Sequence, residues 1–563
     1  MTAPRILLLG ATGAFGSRLA EGLVRSGLGV LAVARGQDAL ATLAARLGPA
    51  VAVLAADRGT LDASRLIALR REHPQLLAIA DASGPFQDRA PDLPRAAIAA
   101  GLHWVDLADA RDWVGGIATL DAEARAAGLA VLAGASSTPA LSHAVLDRLT
   151  AGARAIHMIE VAISPGNRAP RGEAVMRAIL SRAGRPIRVF RGGRWTEAPG
   201  WGLPDRPEMA GLGRRRLALC ETPDLDLLVE RFAPRADAIF RAGLELGLMH
   251  QGLAALAWLV RLGALRSLLP LTRPLLWLAR LLAPFGTDRG GMSVTVTAEE
   301  ADGVLRRRCW TLVAEAGDGP YVPTLPALAA LRGLADGSLA FRGAAPCVGV
   351  LDYDRIAEGF AAHRITTRIE ARDMPAPLFT RLLGTAASSL PPAIRAGHDV
   401  APFLALEGRG AAEGAANPFA ALAARAFGLP GATPEAPLRV EMRAAADGSE
   451  AWERHWPGRT MRSVLRPDGK GGAEEAFGPV TGALALRRTA DGLVLEAVGA
   501  RAFGVTLPRL LTPVSAAREF TDADGRFAFD VPIAVPLLGR RTRYRGWLRP
   551  IPPPSPGPAP ARW

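Results

Sequence analysis

The feature that most restricts what this chain can fold into comes at its start. The apolar run Ile6-Leu7-Leu8-Leu9 passes directly into Gly10-Ala11-Thr12-Gly13-Ala14-Phe15-Gly16 and then into a helical pattern. That order reads as a buried strand, a tight glycine turn and a helix N-terminus. Gly10 lets the chain reverse, Gly13 lets backbone approach a pyrophosphate, and Gly16 lets the helix pack on the sheet, while free N–H groups and the helix dipole favour an anion. An ordinary strand-to-helix turn can carry the same glycines, but a second strand, Val30 to Ala34, follows, and the whole reads as a dinucleotide site. At the end of that second strand the place for an acid that would bond a ribose 2′-hydroxyl is apolar, and Arg35 follows it. A guanidinium there pairs a 2′-phosphate, so NADP is expected in preference to NAD. Asp57, after a third apolar run, is either a contact to the adenine or a plain turn residue.

At 563 residues the chain exceeds what one hydrophobic core serves, and two or three domains are expected. The formal net charge of +13 points toward nucleic acid or an anionic surface, yet it comes from arginines spread along a chain whose only lysine is Lys470. No dense basic run interleaved with aromatics occurs, so nucleic acid is not expected as a partner. Cys220, Cys309 and Cys347 lie far apart without a CxxC pair, which speaks against a disulfide framework or zinc ribbon and suits a reducing cytoplasm. The start lacks the basic, apolar, small-residue order of a signal peptide. With no HExxH or Walker A loop and the eight histidines scattered, no metal is expected.

Strand and helix patterns alternate through residue 150: strands at Leu76 to Ala80, His103 to Asp109 and Ala130 to Ala133, with helices between. This predicts an α/β fold with a doubly wound parallel sheet over residues 1–150, its ligands beyond the carboxyl ends of the strands. Three polar turns lie there. Gly10-Ala-Thr-Gly13-Ala-Phe-Gly16, Ser83-Gly84-Pro85-Phe86, Trp104-Val-Asp-Leu and Gly134-Ala-Ser-Ser-Thr-Pro-Ala-Leu-Ser142 together resemble the saccharopine dehydrogenase-like (saccharopine reductase-like) NAD(P) domain, with a weaker continuation through Gly319 to Pro326. The resemblance implies a pyridine-nucleotide oxidoreductase whose α+β second domain holds the substrate against the nicotinamide. It does not imply saccharopine itself, and the substrate is expected to be a hydrophobic or amino-acid-derived small molecule.

Tyr321, Tyr353 and Tyr544 each lack a lysine four residues on, which excludes a Tyr-x-x-x-Lys mechanism, and Lys470 sits in a turn unsuited to Schiff-base chemistry. Hydride transfer is then a matter of positioning. The Ser83-Gly84-Pro85 turn is expected to bracket the nicotinamide ribose, and Asp106, Asp109, Arg111, Ser136, Ser137 and His143 to meet the substrate, the aspartates, Ser136 and His143 as the catalytic candidates. Structural roles compete for each: Asp106 fixing a strand end, Ser136 to Thr138 capping a helix, His143 on that helix's solvent face. A protein that holds NADP without turning it over, as a sensor or a lipid-binding protein at a membrane, is the alternative.

Residues 151–373 read as an α+β domain for substrate and dimerisation, with strands His157 to Ile163, Ser293 to Thr297 and Arg307 to Val313, and a helix Gly172 to Ser181. Arg168, Arg171 and Arg177 are either recognition groups for an acidic substrate or solvated charges. Residues 238–285 are the most hydrophobic stretch, but the longest run without formal charge, Leu246 to Val260, has 15 residues and is short of a spanning helix. Arg266, Arg273 and Arg280 would align opposite Leu268, Leu269 and Leu275 to Leu278 on a continuous helix, a pattern for an interfacial membrane helix that Pro270 and Pro274 break into pieces. A subunit interface, giving a homodimer, and a lid over a greasy substrate compete with it.

From Met374-Pro-Ala-Pro377 the character changes. Residues 377–549 read as β-rich and antiparallel, with alternation at Leu438-Val440-Met442, at Leu484-Leu486 and Leu493-Leu495 around Asp491-Gly492, and at Phe527-Phe529-Val531 after Asp524-Gly525. Trp452 to Arg454, Glu475 to Pro479, Leu511 to Pro513 and Tyr544 to Leu548 resemble the domain of unknown function DUF4166, which brings no established activity. Trp452, Arg454, Glu475 and Trp547 are either core aromatics with a structural ion pair or the lining of a ligand cavity. Residues 550–563, rich in proline, are expected to be a disordered tail.

Overall fold

The computed structural model describes residues 3–552 except 88, 171, 416–417, 419–420, 422–428 and 537–538. Arg171, most of residues 416–428, and the expected tail beyond residue 552 therefore lie outside the described residues. The chain forms two compact units, Met1–Val296 with Arg308–Glu370, and Thr297–Arg307 with Ala371–Ser555. The dinucleotide-type sheet and most of the α+β region share the first unit, where the sequence suggests separate domains.

In the first unit, β1 (Arg5–Leu9), β2 (Gly29–Ala34), β3 (Val51–Ala55), β4 (Leu76–Asp81), β5 (His103–Asp106) and β6 (Ala130–Ala133) form a parallel sheet in the order 3-2-1-4-5-6. A seventh strand, Gly343–Pro346, pairs in parallel with β6. Ile6, Leu7 and Leu8 on β1 are fully buried, as a strand covered on both faces requires. The strand order reverses between β1 and β4, and helix α1 (Gly16–Arg25) begins beside that switch point.

The remainder of this unit is built on a mixed sheet in which Ala155–Ser164 runs parallel to Asp237–Gly243, and Pro186–Arg191 and Arg194–Pro199 form a hairpin. The expected apolar stripe of 238–285 is broken: helices Gly247–Arg261 and Thr272–Leu281 are separate, and Arg266 lies between them. Leu268 and Leu276 are buried, Leu268 within a core with Leu180, Trp201 and Leu253, so they are not the membrane-facing side that a single continuous helix would make them.

The second unit is a closed antiparallel barrel. Strands Phe403–Glu413, Thr433–Ala444, Glu450–Trp456, Arg459–Pro467, Ala473–Phe477, Val480–Arg488, Gly492–Ala502, Ala516–Thr521, Phe527–Val535 and Gly539–Pro550 pair in ring order, and the last returns to the first. Both Asp-Gly turns sit between paired strands, and Leu486 lies opposite Leu495. The Gly/Ala-rich segment from Glu407 is a strand because its glycines make room: a Cβ on Gly410 would come within 2.7 Å of the Trp456 ring.

Candidate functional site

The carboxyl ends of β1 to β4 enclose a cleft of about 690 Å³. Its floor is the glycine turn. Gly10 has φ +70°, and a Cβ there would lie 2.8 Å from the Ser83 Cα, so the first turn is pressed against the turn after β4. A Cβ on Gly16 would meet the Gly10 carbonyl at 2.1 Å, while Gly13 is exposed on the open side. Helix α1 carries neither a side-chain cap nor an acid in its first turn, which leaves its leading N–H groups for an anion.

Of the residues the sequence nominates for a dinucleotide, Gly10, Thr12, Gly13, Ala14, Phe15, Arg35, Asp57, Ser83, Gly84 and Pro85 line this cleft. Ala11 and Gly16 do not; both are buried under the turn and act through packing. Arg35 is exposed at the rim with no partner among the described residues. Asp57 spends one carboxylate oxygen on the Gly59 N–H at 2.8 Å, a turn role, while still facing the cleft.

Three groups that sequence reasoning missed organise the same walls. Asp81, fully buried at the end of β4, accepts the Ser83 N–H and hydroxyl through Oδ1 at 2.8 and 2.5 Å and the Arg58 Nε–H through Oδ2 at 2.9 Å. Arg58 keeps a buried Nη2 without a partner, and Arg89, which donates to the Ser83 carbonyl at 3.0 Å, keeps a buried Nη1 without one. Burial, with the Arg58 charge beside it, lowers the Arg89 pKa. Unspent guanidinium N–H groups in a cleft floored by bare amides fit a phosphate-bearing nucleotide. Asp81 closes an otherwise apolar strand, so its polarity within Ala80-Asp81-Ala82 was the available signal.

A second cavity of about 360 Å³ adjoins the cleft, sharing Phe86, Arg89, Asp109 and Val175 with it. Its other walls are largely apolar, among them Trp113, Ile163, Met176, Trp201, Phe240 and Leu253. Asp109 is the carboxyl group common to both spaces; burial raises its pKa against a hydrogen bond from Gln87. Cys220 also faces this cavity, and burial with the nearby Asp109 and Glu221 charges pushes its thiol up to about 12, so it remains protonated. Arg111 reaches the cavity wall but is committed to Asp226 through two contacts of 2.5 Å, so it is not the free substrate cation the sequence suggests.

The other catalytic candidates are placed elsewhere. Asp106 lines neither space. It is fully buried and accepts from the Gly134 and Ala108 amides at 2.8 and 3.0 Å and from the Trp104 and Trp113 indoles at 3.0 and 2.8 Å, tying three segments together. Ser136 is also buried away from both and caps no helix with its side chain; of that turn only Thr138 reaches the apolar cavity. His143 is fully buried, not on a solvent face, with Asp224 Oδ1 3.7 Å from its Nε2 and Phe232 against its ring. Burial, reinforced by Arg231, holds the His143 pKa well below its usual value. Arg168 donates to the Pro284 carbonyl, Arg177 is exposed, and neither lines the cleft or the apolar cavity.

The fold defines a Rossmann-type α/β unit on the same chain as a closed β-barrel. Residues 390–548 match the model of the family described as Domain of unknown function (DUF4166), and the barrel is that domain. No curated protein matches the chain. Among solved structures, an apo histidine-tagged saccharopine dehydrogenase (L-Glu forming) from Saccharomyces cerevisiae is similar at 14% identity and a TM-score of 0.49, over 65% of this chain and 100% of that one. A short-chain dehydrogenase from Sphingobium yanoikuyae in complex with NADPH is similar at 22% identity and a TM-score of 0.19, over 23% of this chain and 69% of that one. At these scores the likenesses say nothing about reaction or substrate.

Proposed function

We propose that this protein is an NADP-dependent oxidoreductase that acts on an apolar small molecule. The observation that carries the reading is the junction of the two spaces: the cleft adjoins an apolar cavity, and a carboxyl, Asp109, faces both. The bound coenzyme would supply or accept a hydride. Its phosphates would be held by the Gly10–Gly16 amides and its 2′-phosphate by Arg35, with Arg58 and Arg89 behind. Asp109, whose pKa burial raises, is placed to give a proton to a carbonyl or imine as hydride reaches the adjacent carbon, and to take it back in the reverse direction. The indole and aliphatic walls exclude water and select an apolar substrate.

The same reading extends to the source of that substrate. Met249 and Leu253 on helix Gly247–Arg261 line the apolar cavity, while Leu248, Trp258 and Leu262 on the opposite side are 78%, 57% and 59% exposed. Trp277, Leu281 and Phe285 are exposed as well, with Arg261, Arg266, Arg273 and Arg280 interleaved. Apolar groups set among arginines on a chain of net charge +13 suit docking on an anionic bilayer, from which an apolar substrate would reach the cavity. No helix among the described residues is long and apolar enough to cross a membrane. Incubating the protein with NADPH and panels of medium-chain ketones, imines and enones tests the reaction: substrate-dependent loss of NADPH absorbance is expected. Tight NADPH binding without any such loss would replace the enzyme by the nucleotide-holding sensor.

A further inference from the structure

The barrel of the second unit is not filled by its own side chains. Its lumen holds a cavity of about 330 Å³, within the size range of small-molecule sites. Side chains alternate across the wall: on Glu450–Trp456, Trp452, Arg454 and Trp456 line the lumen and Glu453 and His455 do not. Trp547, which the sequence groups with them, lies outside the lining, with the Arg526 guanidinium 4.3 Å from its ring centroid. Gly482 faces inward onto open space, where a Cβ would meet nothing nearer than the Glu475 carbonyl oxygen at 4.0 Å.

The charges in the lumen are partnered. Arg454 donates to Glu475 at 3.1 Å and to the Ser463 hydroxyl at 2.9 Å, and its guanidinium carbon lies 4.9 Å from the Trp452 ring centroid. Glu519 is bonded to His398 at 2.7 Å. Two neutral donors are not. The Trp456 Nε1–H is buried without a partner, and the Tyr544 hydroxyl has none among the described residues; their rings are 6% and 8% exposed and 6.3 Å apart. A buried donor is almost always satisfied, so the unpartnered Trp456 Nε1–H, with the Tyr544 ring 6.3 Å away, calls for an acceptor. At the rim, the connection after Gly492–Ala502 gives Leu507, Leu511 and Pro513 to the lining, while Phe503, Val505 and Leu510 stay 85%, 69% and 59% exposed. An apolar rim beside an apolar lumen is an entry path for a molecule that avoids water.

We propose that the barrel lumen binds one chain-like apolar molecule ending in an uncharged oxygen, an alcohol or a carbonyl, which accepts hydrogen bonds from Trp456 and Tyr544. A carboxylate head is disfavoured, because Arg454 is already neutralised by Glu475 and Glu519 adds a further negative group to the wall. A dry void of about 150 Å³ takes a benzene ring, so this lumen accommodates a chain of roughly ten to fifteen carbons. The site stands apart from the reading of the first unit and does not depend on it.

Isothermal titration of the full-length protein with decan-1-ol and with decanoate tests the assignment. Decan-1-ol should bind at one per barrel and at least tenfold more tightly than decanoate. Gly482→Phe and, separately, Ala517→Phe fill the lumen and should each weaken decan-1-ol at least tenfold; Tyr544→Phe should weaken it roughly two- to tenfold. Thermal melting of each variant reports whether it is folded. Unchanged decan-1-ol affinity in a folded lumen-filling variant would place binding elsewhere, the apolar cavity of the first unit included, and overturn the proposal. Unchanged affinity in Tyr544→Phe, or decanoate binding as tightly as the alcohol, would overturn the neutral-oxygen head.

Discussion

Arg35 stands at the rim of the cleft without a partner among the described residues, so its charge is available and its removal leaves no buried acid exposed. Arg35→Glu should weaken NADPH binding by roughly ten- to a hundredfold, about 1.4–2.7 kcal/mol, and leave NADH nearly unchanged, which titration with both forms measures. Asp109→Asn should retain NADPH binding and lose roughly 10²- to 10⁴-fold in turnover, since the amide holds the shape but carries no transferable proton. Because burial raises the Asp109 pKa, the rate of reduction should fall as pH rises through that raised value. Asp106 obeys a different logic. Burial lifts its pKa to about 6, yet four N–H groups point at its oxygens, so Asp106→Asn turns an NH2 toward donors and should cost roughly 2–4 kcal/mol of stability in denaturant unfolding. Asp224 is pushed up to about 7 by burial, from 3.8, so the folded state holds a proton that the unfolded chain has released. Its contribution to stability is present below pH 3.8 and is lost as pH rises toward about 7. Asp224→Asn should flatten that part of the melting-temperature profile. None of these distinctions was legible beforehand: Asp106 and Asp109 are three residues apart with similar neighbours, and only the sheet decides that one is tied into three segments and the other faces two cavities.

At the scale of elements, local pattern reported strand and helix well and burial poorly. The helix expected from Gly172 to Ser181 is found at Glu173–Arg182, and both Asp-Gly hairpins form, because turn chemistry and side-chain period act within a few residues. The Gly/Ala-rich strand Phe403–Glu413 was opaque because its glycines answer a Trp456 ring far along the chain. In 238–285 the leucines gave hydrophobicity without direction, and packing against Trp201 and Leu253 chose which face turned inward. The face left outside makes its own prediction. Replacing Trp258, Trp277 and Phe285 together by Ser should abolish flotation with liposomes rich in phosphatidylserine, while neutral liposomes should recruit the wild type weakly, since each arginine adds about 1 kcal/mol at an anionic surface. Equal flotation of variant and wild type would remove the membrane from the proposal.

At the scale of the molecule, each unit has its own core, one around β1 to β6 and one inside the barrel. Calorimetry should therefore resolve two transitions, with NADPH at about 100 times its Kd raising only the first by about 2.7 kcal/mol and decan-1-ol raising only the second. The sequence by itself determined the glycine turn, the alternation of strands and helices through residue 150, the expectation of a nucleotide and the β-rich second module, because each depends on φ freedom, side-chain period or turn chemistry over short spans. Tertiary structure alone decided that Gly343–Pro346 joins the first sheet, that Asp109 and not Asp106 or His143 reaches the apolar space, and that the barrel closes around a void. Those outcomes rest on contacts between residues tens to hundreds of positions apart, where the direction of a side chain is set by what packs against it and not by its neighbours in the chain.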